Sequence, residues 1–513
     1  MSTCSCEEQI ASLQRELMEI ECHINTQQQN LLVQRAVLRQ KLNALRSPIY
    51  RLSVEIMAAI FLRALPSPMS FEFDMPSNRR HFFPPDLGDL FFPITLNAVS
   101  AHWRDVASST PLLWSLFQFP AFLWSLERPP YYTIDIYLQN SKDIPLQIDL
   151  AFPFEVNKET RDHFFHSRFD RLLAANLSRI RTIMLKNPPL RWLHQLEKLS
   201  SATSISIQWD RSLAVDNMEN LRFNRCRSLS RLALRNAIAS DGSLRQGRIL
   251  VPCSLTILDL TAIHIDTCIK VALRCPDLVE MYTRYSLRAD EDLDSELAEL
   301  WFGDGVTFNR LEVLFFGPVV GPWESTFLGK LHTPVLQSFT ISNQLGGLAI
   351  RTAEDGFGQF VKRLPPTFST LEIEDCEFIE VDSCDYFFNH QTSVRKLKFV
   401  DSDIDSIINL LQTLQLSEEP ICMPHLEVLH VMGCIKEIDE PRAYQWMSEL
   451  EPTTLNHFVR MLERRLVEGS TFRLEFSRIG VDWTPVLQAR LRALVRRGVQ
   501  LQVVEGGDQV DWL

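Results

Sequence analysis

A short apolar pattern recurs along the chain from about residue 180 and constrains its fold more than any other feature. In each instance an apolar residue is followed by two others, a second apolar residue, one other and a third apolar residue. The second apolar residues are Ile183, Ile205, Leu232, Leu258, Met281, Leu314, Phe339, Leu371, Leu397 and Leu429. The instance at Met281 is weaker, because Thr283 takes its third apolar position. The pattern predicts short strands with one apolar face, and such units bury that face only by stacking side by side.

Successive instances are 22 to 33 residues apart, and the pattern resembles a leucine-rich repeat of irregular length. That resemblance implies a solenoid with a curved parallel sheet, which we assign to residues 121–440. The repeat signature places Asn or Cys three residues after the third apolar position, and Cys376 and Cys434 match it. Other repeats carry unrelated residues there, such as Ala237, Ile263 and Gln344. We therefore expect an irregular solenoid.

Both flanks of the repeats also show periodicity. After them, the pattern predicts an α/β cap at 441–513. Its predicted elements are an amphipathic helix over 454–467, a strand over 472–476, a helix over 484–498 and a strand over 499–503. Before them, residues 134–138 and 146–150 alternate at period two and predict two paired or neighbouring strands.

The N-terminal 46 residues are predicted to form one helix. Apolar residues recur every seven positions at Ile10, Leu17, Ile24, Leu31, Leu38 and Leu45. The companion positions three residues later are apolar only at Leu13 and Ile20, since Gln27, Gln34 and Lys41 follow. Self-association of residues 7–46 through a short coiled coil is one interpretation, and packing of one apolar stripe on the same protein or on a partner is the other.

Residues 47–120 predict a small helical module. Ser47-Pro48 ends the first helix, residues 52–65 and 96–106 read as two further helices, and Pro111 starts another turn. An irregular insertion at 66–93 separates the two helices. The segment, with Trp103-Arg104 and Pro111-Leu112-Leu113-Trp114, resembles an F-box. With the heptad helix before it and the irregular repeats after it, the whole layout resembles the large F-box family of mushroom-forming fungi.

The F-box resemblance implies a docking surface for a Skp-type adaptor, which in turn joins a cullin scaffold. The residues carried over for adaptor binding are Leu52, Glu55, Ile56, Ile60, Phe61, Leu65, Val99, Trp103 and Val106. This predicts the substrate-recognition subunit of a Skp-cullin-F-box-type ubiquitin ligase. Ser53 stands where the family carries proline, and Ser100 where it usually carries Cys. A leucine-rich-repeat scaffold that no longer binds the adaptor is therefore the alternative.

A target protein is expected on the concave strand face, at the positions that alternate with the core residues. The candidates are Arg231, Arg235, Phe315, Trp323, Glu372, Glu374, Lys396, Lys398, His430 and Met432. Phe315, Trp323 and Met432 are chosen as exposed apolar anchors. Glu372 and Glu374 fall on the strand beside Lys396 and Lys398, and we favour a cross-strand ionic rung for these four over a ligand contact.

Composition and missing motifs exclude several function classes. The net charge is −12 and there is no concentrated basic run, which argues against nucleic-acid binding. Neither a signal peptide nor a run of about 20 apolar residues occurs, so we expect residence in the cytoplasm or nucleus. Phosphate-loop, HExxH and GxSxG motifs are also missing. We therefore predict no enzyme activity, no cofactor and no metal site.

The cysteines support the same expectation. Eleven are scattered irregularly, which predicts reduced thiols without a disulfide framework. Cys4, Cys6, Cys22 and His23 do not have a familiar zinc-binding spacing. Cys226, Cys253, Cys268 and Cys275 lie in or beside the repeats, and for each of them we favour a buried structural role over a catalytic one.

Overall fold

The structure is a computed structural model, and it describes most of the helices and strands together with part of the loops. The described residues are 4–65, 91–119, 131–152, 174–188, 190–209, 221–235, 249–284, 302–303, 305–317, 322–342, 356–374, 393–416, 423–438, 443–447, 449–466 and 469–513. The chain forms two compact units. Unit 1 comprises Met1–Phe119 and Glu127–Ile148, and unit 2 comprises Pro120–Leu126 and Asp149–Leu513.

Unit 1 is mainly helical. Its α-helices are α1 (Cys4–Arg46), α2 (Val54–Ala64), α3 (Phe92–Val99), α4 (Ala101–Ser108) and α5 (Tyr131–Asn140). Two 3-10 helices, Pro48–Arg51 and Pro111–Trp114, lie between them. Strand β1 (Leu116–Phe119) pairs with β2 (Leu146–Ala151), whose second half belongs to unit 2.

The predicted helix over 96–106 is in fact two helices, because the backbone is extended at Ser100. That residue has φ −162° and ψ 166°, and its side chain accepts a hydrogen bond from the N–H of Trp103 at 3.2 Å. Ser53 caps α2 in the same way, accepting from the N–H of Ile56 at 3.5 Å. Each such N-cap is worth about 1 kcal/mol. The two serines that depart from the F-box pattern are therefore helix caps here.

The predicted strand over 134–138 is wrong, since these residues lie in α5. Ile134 and Tyr137, one helical turn apart, are both buried. Tyr137 packs edge-on against Trp114 and Phe117, with ring centroids 5.3 Å away in each case. Burial of one helical face therefore overrides the β propensity of this apolar run. The strand predicted at 146–150 is confirmed as β2.

The predicted insertion over 66–93 is too long by two residues, because α3 begins at Phe92. Residues 66–90 lie outside the described part of the chain.

Unit 2 alternates strands with helices. Its strands are β3 (Ile180–Lys186), β4 (Ser204–Gln208), β5 (Arg231–Arg235), β6 (Ile257–Thr261), β7 (Glu280–Arg284), β8 (Val306–Thr307), β9 (Val313–Phe316), β10 (Leu331–His332), β11 (Ser338–Ser342), β12 (Thr370–Glu374), β13 (Lys396–Asp403), β14 (Val428–Ile438), β15 (Ala443–Trp446), β16 (Glu449–Leu450), β17 (Thr471–Ser477), β18 (Gly480–Val481), β19 (Gln500–Glu505) and β20 (Asp508–Gln509). Its helices are α6 (Leu190–Leu196), α7 (Ile265–Ala272), α8 (Pro322–Lys330), α9 (Gly356–Lys362), α10 (Ile404–Leu416), α11 (Pro452–Arg465) and α12 (Pro485–Arg496).

The main sheet of unit 2 follows chain order. From β3 it runs through β4, β5, β6, β7, β9, β11, β12, β13, β14, β17 and β19 to β20. The pairings from β3 to β19 are parallel, whereas β15 and β20 add antiparallel ends. Pairs β8/β10 and β16/β18 form two small parallel sheets. Sequential parallel strands with helical connections make unit 2 an α/β solenoid of the leucine-rich-repeat type.

The strand register confirms the repeat pattern. Ile183 lies beside Ile205, and the row continues through each predicted second apolar residue to Leu429, then to Leu474 and Val503. All these side chains are buried and form one continuous core row. The weak repeat is explained by Thr283, which is fully buried and whose Oγ1 donates to the Phe315 carbonyl at 3.2 Å. The same Oγ1 accepts from the Gly317 N–H at 3.4 Å, so internal hydrogen bonds satisfy the one polar third position of the ten predicted repeats.

Candidate functional site

The helical module of unit 1 has a filled core. Met57, Phe61, Val106 and Trp114 are almost completely buried. The Trp114 Nε1–H donates to the Ala107 carbonyl at 2.8 Å, which satisfies the indole inside the module. The Phe61 ring lies 4.9 Å from the ring of Trp103, so α2 packs directly on α4. This core needs no further apolar residue from the outer face of α2.

Several apolar residues of the module nevertheless face outward. Ile56 and Ile60 are 51% and 44% exposed, and Val99 at the end of α3 is 56% exposed. Ile56 and Ile60 are four residues apart and share one helical face. Glu55 is exposed beside them. We call Glu55, Ile56 and Ile60 the α2 surface.

Glu55 carries its charge on this surface. Its pKa is lowered first by a hydrogen bond with the Ser53 side chain and then by the Glu55 backbone N–H. The α2 surface therefore combines an ionised carboxylate with exposed aliphatic side chains.

The remaining predicted adaptor residues are placed differently. Phe61 and Val106 belong to the module core, so they are unavailable to a partner and their assignment as contact residues is corrected. Leu52, Leu65 and Trp103 are half-buried. A sequence pattern alone did not separate these groups, because an amphipathic helix needs an apolar stripe for its own packing.

Unit 2 presents a polar face of its sheet, formed by the residues that alternate with the core rows. On this face the Asp259 side chain lies between two arginines. Its Oδ2 is 3.4 Å from Arg235 Nη2 and 3.7 Å from Arg284 Nη1. The Asp259 side chain is only 4% exposed, and those of Arg235 and Arg284 are 16% and 14% exposed. Strands β5, β6 and β7 thus bring one carboxylate and two guanidinium groups together.

Aromatic rings complete this group. The Arg284 guanidinium lies 4.9 Å from the Tyr282 ring centroid and 5.0 Å from that of Phe315. Burial, followed by the nearby Glu280 carboxylate, raises the pKa of Tyr282, so its phenol stays protonated and donates to Glu280 at 3.0 Å. We call Arg235, Asp259, Tyr282, Arg284 and Phe315 the Asp259 cluster. With two guanidinium groups against one aspartate and two aromatic rings beside Arg284, it suits an acidic or aromatic group.

A second charged group spans β12 to β17. Lys398 Nζ and Glu372 Oε1 are 2.8 Å apart. The His430 ring shares a 3.0 Å hydrogen bond with Ser477 Oγ and lies 4.0 Å from Glu475. We call Glu372, Lys398, His430, Glu475 and Ser477 the His430 cluster.

The charges of the His430 cluster follow from its contacts. Burial lowers the pKa of His430, and the attraction of Glu475 only partly opposes this shift. Burial pushes the pKa of Glu475 up, but the hydrogen bond from Arg473 and nearby positive charge outweigh it and leave that pKa lowered. At neutral pH the cluster therefore holds a neutral imidazole beside an ionised carboxylate.

The sequence predicted part of this face. The Glu372–Lys398 ionic rung is confirmed, whereas Glu374 lies opposite Val400 and Lys396 opposite Thr370. Glu374 and Lys396 are therefore not cross-strand neighbours, and they form no second ionic rung with each other.

The other predicted target residues have mixed outcomes. Arg231 is exposed and Met432 is half-buried. Phe315 is buried beneath Arg284, so its prediction as an exposed anchor is wrong. Trp323 lies in α8, and its side chain is outside the described residues.

Sequence reasoning missed five residues of the two clusters: Asp259, Tyr282, Arg284, Glu475 and Ser477. A signal was available, since the first three flank the buried residues Leu258, Met281 and Thr283 in the same alternation that was used for other strands. Burial of so many charges could not be expected from that pattern, because lone charged residues on strands are usually solvated.

Burial deactivates two of the described thiols of the repeats. Cys226, Cys268 and Cys275 are buried, and Cys253 is exposed. Burial raises the pKa of Cys226 to about 11 and that of Cys275 to about 12. Because the thiolate is the nucleophile, these two groups are poor nucleophiles at neutral pH.

Within the described ranges, no group of three His, Cys, Asp or Glu side chains is arranged to hold a metal ion. Nor does any helix there combine the length and apolarity needed to cross a membrane.

No protein-family model matches the sequence, and no curated protein matches it. Several solved structures are similar to the chain, and two of them illustrate the similarity. The yeast complex of Rad7 and Elc1 aligns at 12% identity and a TM-score of 0.30, covering 92% of each chain. A leucine-rich-repeat protein of Leptospira interrogans aligns at 12% identity and a TM-score of 0.24, covering 77% of this chain and 97% of the other. At these values the description of unit 2 as a solenoid rests on its own strand register.

Proposed function

We propose that this protein is the substrate-recognition subunit of a Skp-cullin-F-box-type ubiquitin ligase. The α2 surface of unit 1 binds a Skp-type adaptor, and through it a cullin scaffold. The polar face of unit 2 binds a target protein. The chain itself performs no catalysis in this proposal. The observation that carries it is the exposure of Ile56, Ile60 and Val99 beside a module core that is already filled.

Ile56 and Ile60 supply apolar surface that a partner can bury. Fully burying an aliphatic side chain of this size is worth about 1.5–3 kcal/mol. Ile56 and Ile60 are about half exposed, so docking a partner on α2 gains a part of that value for each residue. Stability of the module alone does not require isoleucine at either position. Exposed apolar side chains at both positions are instead typical of a helical docking surface.

The target side of the proposal rests on the Asp259 and His430 clusters. Both lie on the polar face of one sheet, and both hold charged side chains in partly desolvated positions. Charges in such positions give specificity, because a wrong partner leaves them unpaired. Recognition of a protein surface or segment with complementary charge follows from this arrangement.

The decisive experiment is capture of a purified Skp-type adaptor by the full chain and by the variant Ile56→Asp/Ile60→Asp. Phe61 is left unchanged because an aspartate in the core would unfold the module. The matched control is Val486→Asp/Val495→Asp, which changes two exposed valines of α12 in unit 2. Circular dichroism and thermal unfolding of all three proteins establish that they are folded.

Adaptor binding by the natural chain and the control, with loss in the α2 variant, is the expected result. Binding that survives in the α2 variant would show that the α2 surface is not the adaptor site. No binding by the natural chain would refute the adaptor role and favour the scaffold alternative, in which the repeats bind a protein without recruiting a ligase.

A further inference from the structure

Helix α1 carries an apolar stripe that is exposed in the part of the chain that the structure describes. The helix has 43 residues and is about 64 Å long at 1.5 Å per residue. The stripe consists of the six heptad residues Ile10, Leu17, Ile24, Leu31, Leu38 and Leu45, and each of them is more than half exposed. Leu13 and Ile20, in the companion row, are also exposed. A stripe with a seven-residue period is the pattern of a helix that pairs with another helix.

The charge of α1 is divided between its two halves. In the sequence, residues 4–24 carry five glutamates and one arginine, whereas residues 25–46 carry three arginines, one lysine and no acidic residue. One end of the helix is therefore strongly acidic and the other strongly basic. Two parallel copies would place like charges side by side along the whole helix, whereas two antiparallel copies place opposite charges together.

The companion row also favours an antiparallel pair of α1 helices. In a parallel pair Gln27, Gln34 and Lys41 would each face themselves, which creates three successive polar layers and one lysine–lysine contact. In an antiparallel pair these residues face the apolar heptad row instead. A buried like-charge contact is then avoided, and every layer contains at least one leucine or isoleucine.

We propose that two copies of this chain associate through an antiparallel coiled coil of α1. In the register that the charges favour, Ile20 faces Leu38 of the second copy and Leu17 faces Lys41 of the second copy. Glu21 then lies beside Arg35 of the second copy, and symmetry provides this pair twice. The proposal concerns α1 alone and stands independently of the proposed adaptor role.

Dimerisation has a direct consequence for a receptor of this kind. A dimer carries two polar faces, so a target with two recognition segments is held by both copies at once. Such a target binds with an effective concentration set by the linkage and not by the bulk solution.

The test uses the full chain and measures its dimer dissociation constant by analytical ultracentrifugation. The reversal variant is Glu16→Lys/Glu19→Lys/Glu21→Lys, which makes both halves of α1 basic. The swap variant adds Arg35→Glu/Arg39→Glu/Lys41→Glu and restores opposite halves. The matched control, Asp482→Lys/Asp508→Lys/Asp511→Lys, makes the same change in net charge at exposed positions of unit 2. Far-UV circular dichroism checks the helix content of each protein.

The expected result is a dimer for the natural chain, the control and the swap variant, with a dissociation constant at least about tenfold higher for the reversal variant. Added salt should weaken the natural dimer, because the flanking charges are exposed.

Two results would overturn the proposal. One is a natural chain that stays monomeric at about 50 µM, far above the micromolar affinity expected of a coiled coil of this length. The other is a dimer that the reversal leaves unchanged, since a parallel pair or a contact through unit 2 does not depend on opposite halves of α1.

Discussion

Replacing Asp259 by alanine should destabilise unit 2 far more than breaking a shorter but exposed ion pair. The change leaves Arg235 and Arg284 facing each other without their carboxylate, with only 16% and 14% of their side chains exposed. Removing one member of a buried ion pair costs about 3–5 kcal/mol, because a charge is left uncompensated away from water. The arginines retain some solvent contact, so we expect a loss of about 3 kcal/mol, at the lower end of this range.

The matched control is Glu427→Ala, which breaks the 2.7 Å contact with Arg395. This distance is shorter than either distance in the Asp259 cluster, but the two side chains are 50% and 61% exposed. Exposed pairs contribute about 0–1 kcal/mol, so this variant should lose less than 1 kcal/mol. The comparison separates burial from distance as the cause of the effect.

The assay is urea unfolding followed by circular dichroism, with amide hydrogen exchange of peptides from β5, β6 and β7. Hydrogen exchange is needed because a solenoid can open locally before it unfolds as a whole. A third variant, Arg235→Met/Asp259→Leu/Arg284→Met, should recover most of the loss, since apolar residues of similar volume leave no charge unpaired. Equal losses for Asp259→Ala and Glu427→Ala would refute the reasoning, as would a triple variant no more stable than Asp259→Ala.

Two further predictions concern other parts of unit 2. Burial raises the pKa of Asp149 from 3.8 to about 7, with the Lys186 charge opposing the shift only partly. The stabilisation that follows from this raised pKa is therefore complete below pH 4 and is lost as the pH rises through 7. Asp149→Asn should remove this pH dependence, which melting temperatures at pH 5 and pH 8 would reveal. A Cβ at Gly356 would lie 1.7 Å from the Ser325 carbonyl oxygen, so Gly356→Ala must push α9 away from α8. Thermal unfolding should show a cost of at least about 1–3 kcal/mol, and an unchanged melting temperature would contradict this close packing.

The fold of unit 2 was predictable because its signal is repeated. A single apolar triplet is weak, but ten triplets at similar spacing have one common explanation, and the register aligns all ten second residues. The α/β cap was predictable for a different reason. Its start and stop residues, Thr484-Pro485 and Gly498, determine the ends of α12 by side-chain capping and by a left-handed backbone at φ +88°.

The predictions of secondary structure were wrong where a segment fits both a strand and a helix period, or where one tertiary or capping contact determines the structure. Residues 134–138 fit a strand pattern, yet Ile134 and Tyr137 also fit a helical face, and the packing of Tyr137 on Trp114 and Phe117 favours the helix. The break at Ser100 depends on one hydrogen bond to the Trp103 backbone.

The candidate sites were harder to predict than the fold. Whether Ile56 faces outward and Phe61 inward depends on which helix packs on α2, and α4 is separated from it by the insertion. Likewise, Asp259 belongs to a charged cluster because the neighbouring strands bring Arg235 and Arg284 beside it.

The order of strands in unit 2 determines how long a ligand must be to contact both Asp259 and His430. Six strand spacings separate Asp259 on β6 from His430 on β14. At about 4.8 Å per spacing these two residues are about 29 Å apart along the sheet. An extended segment needs about nine residues to span that distance, and a helix about 19. A shorter peptide that follows the sheet does not reach both Asp259 and His430, so the minimum length of a ligand that contacts both residues is a property of this sheet.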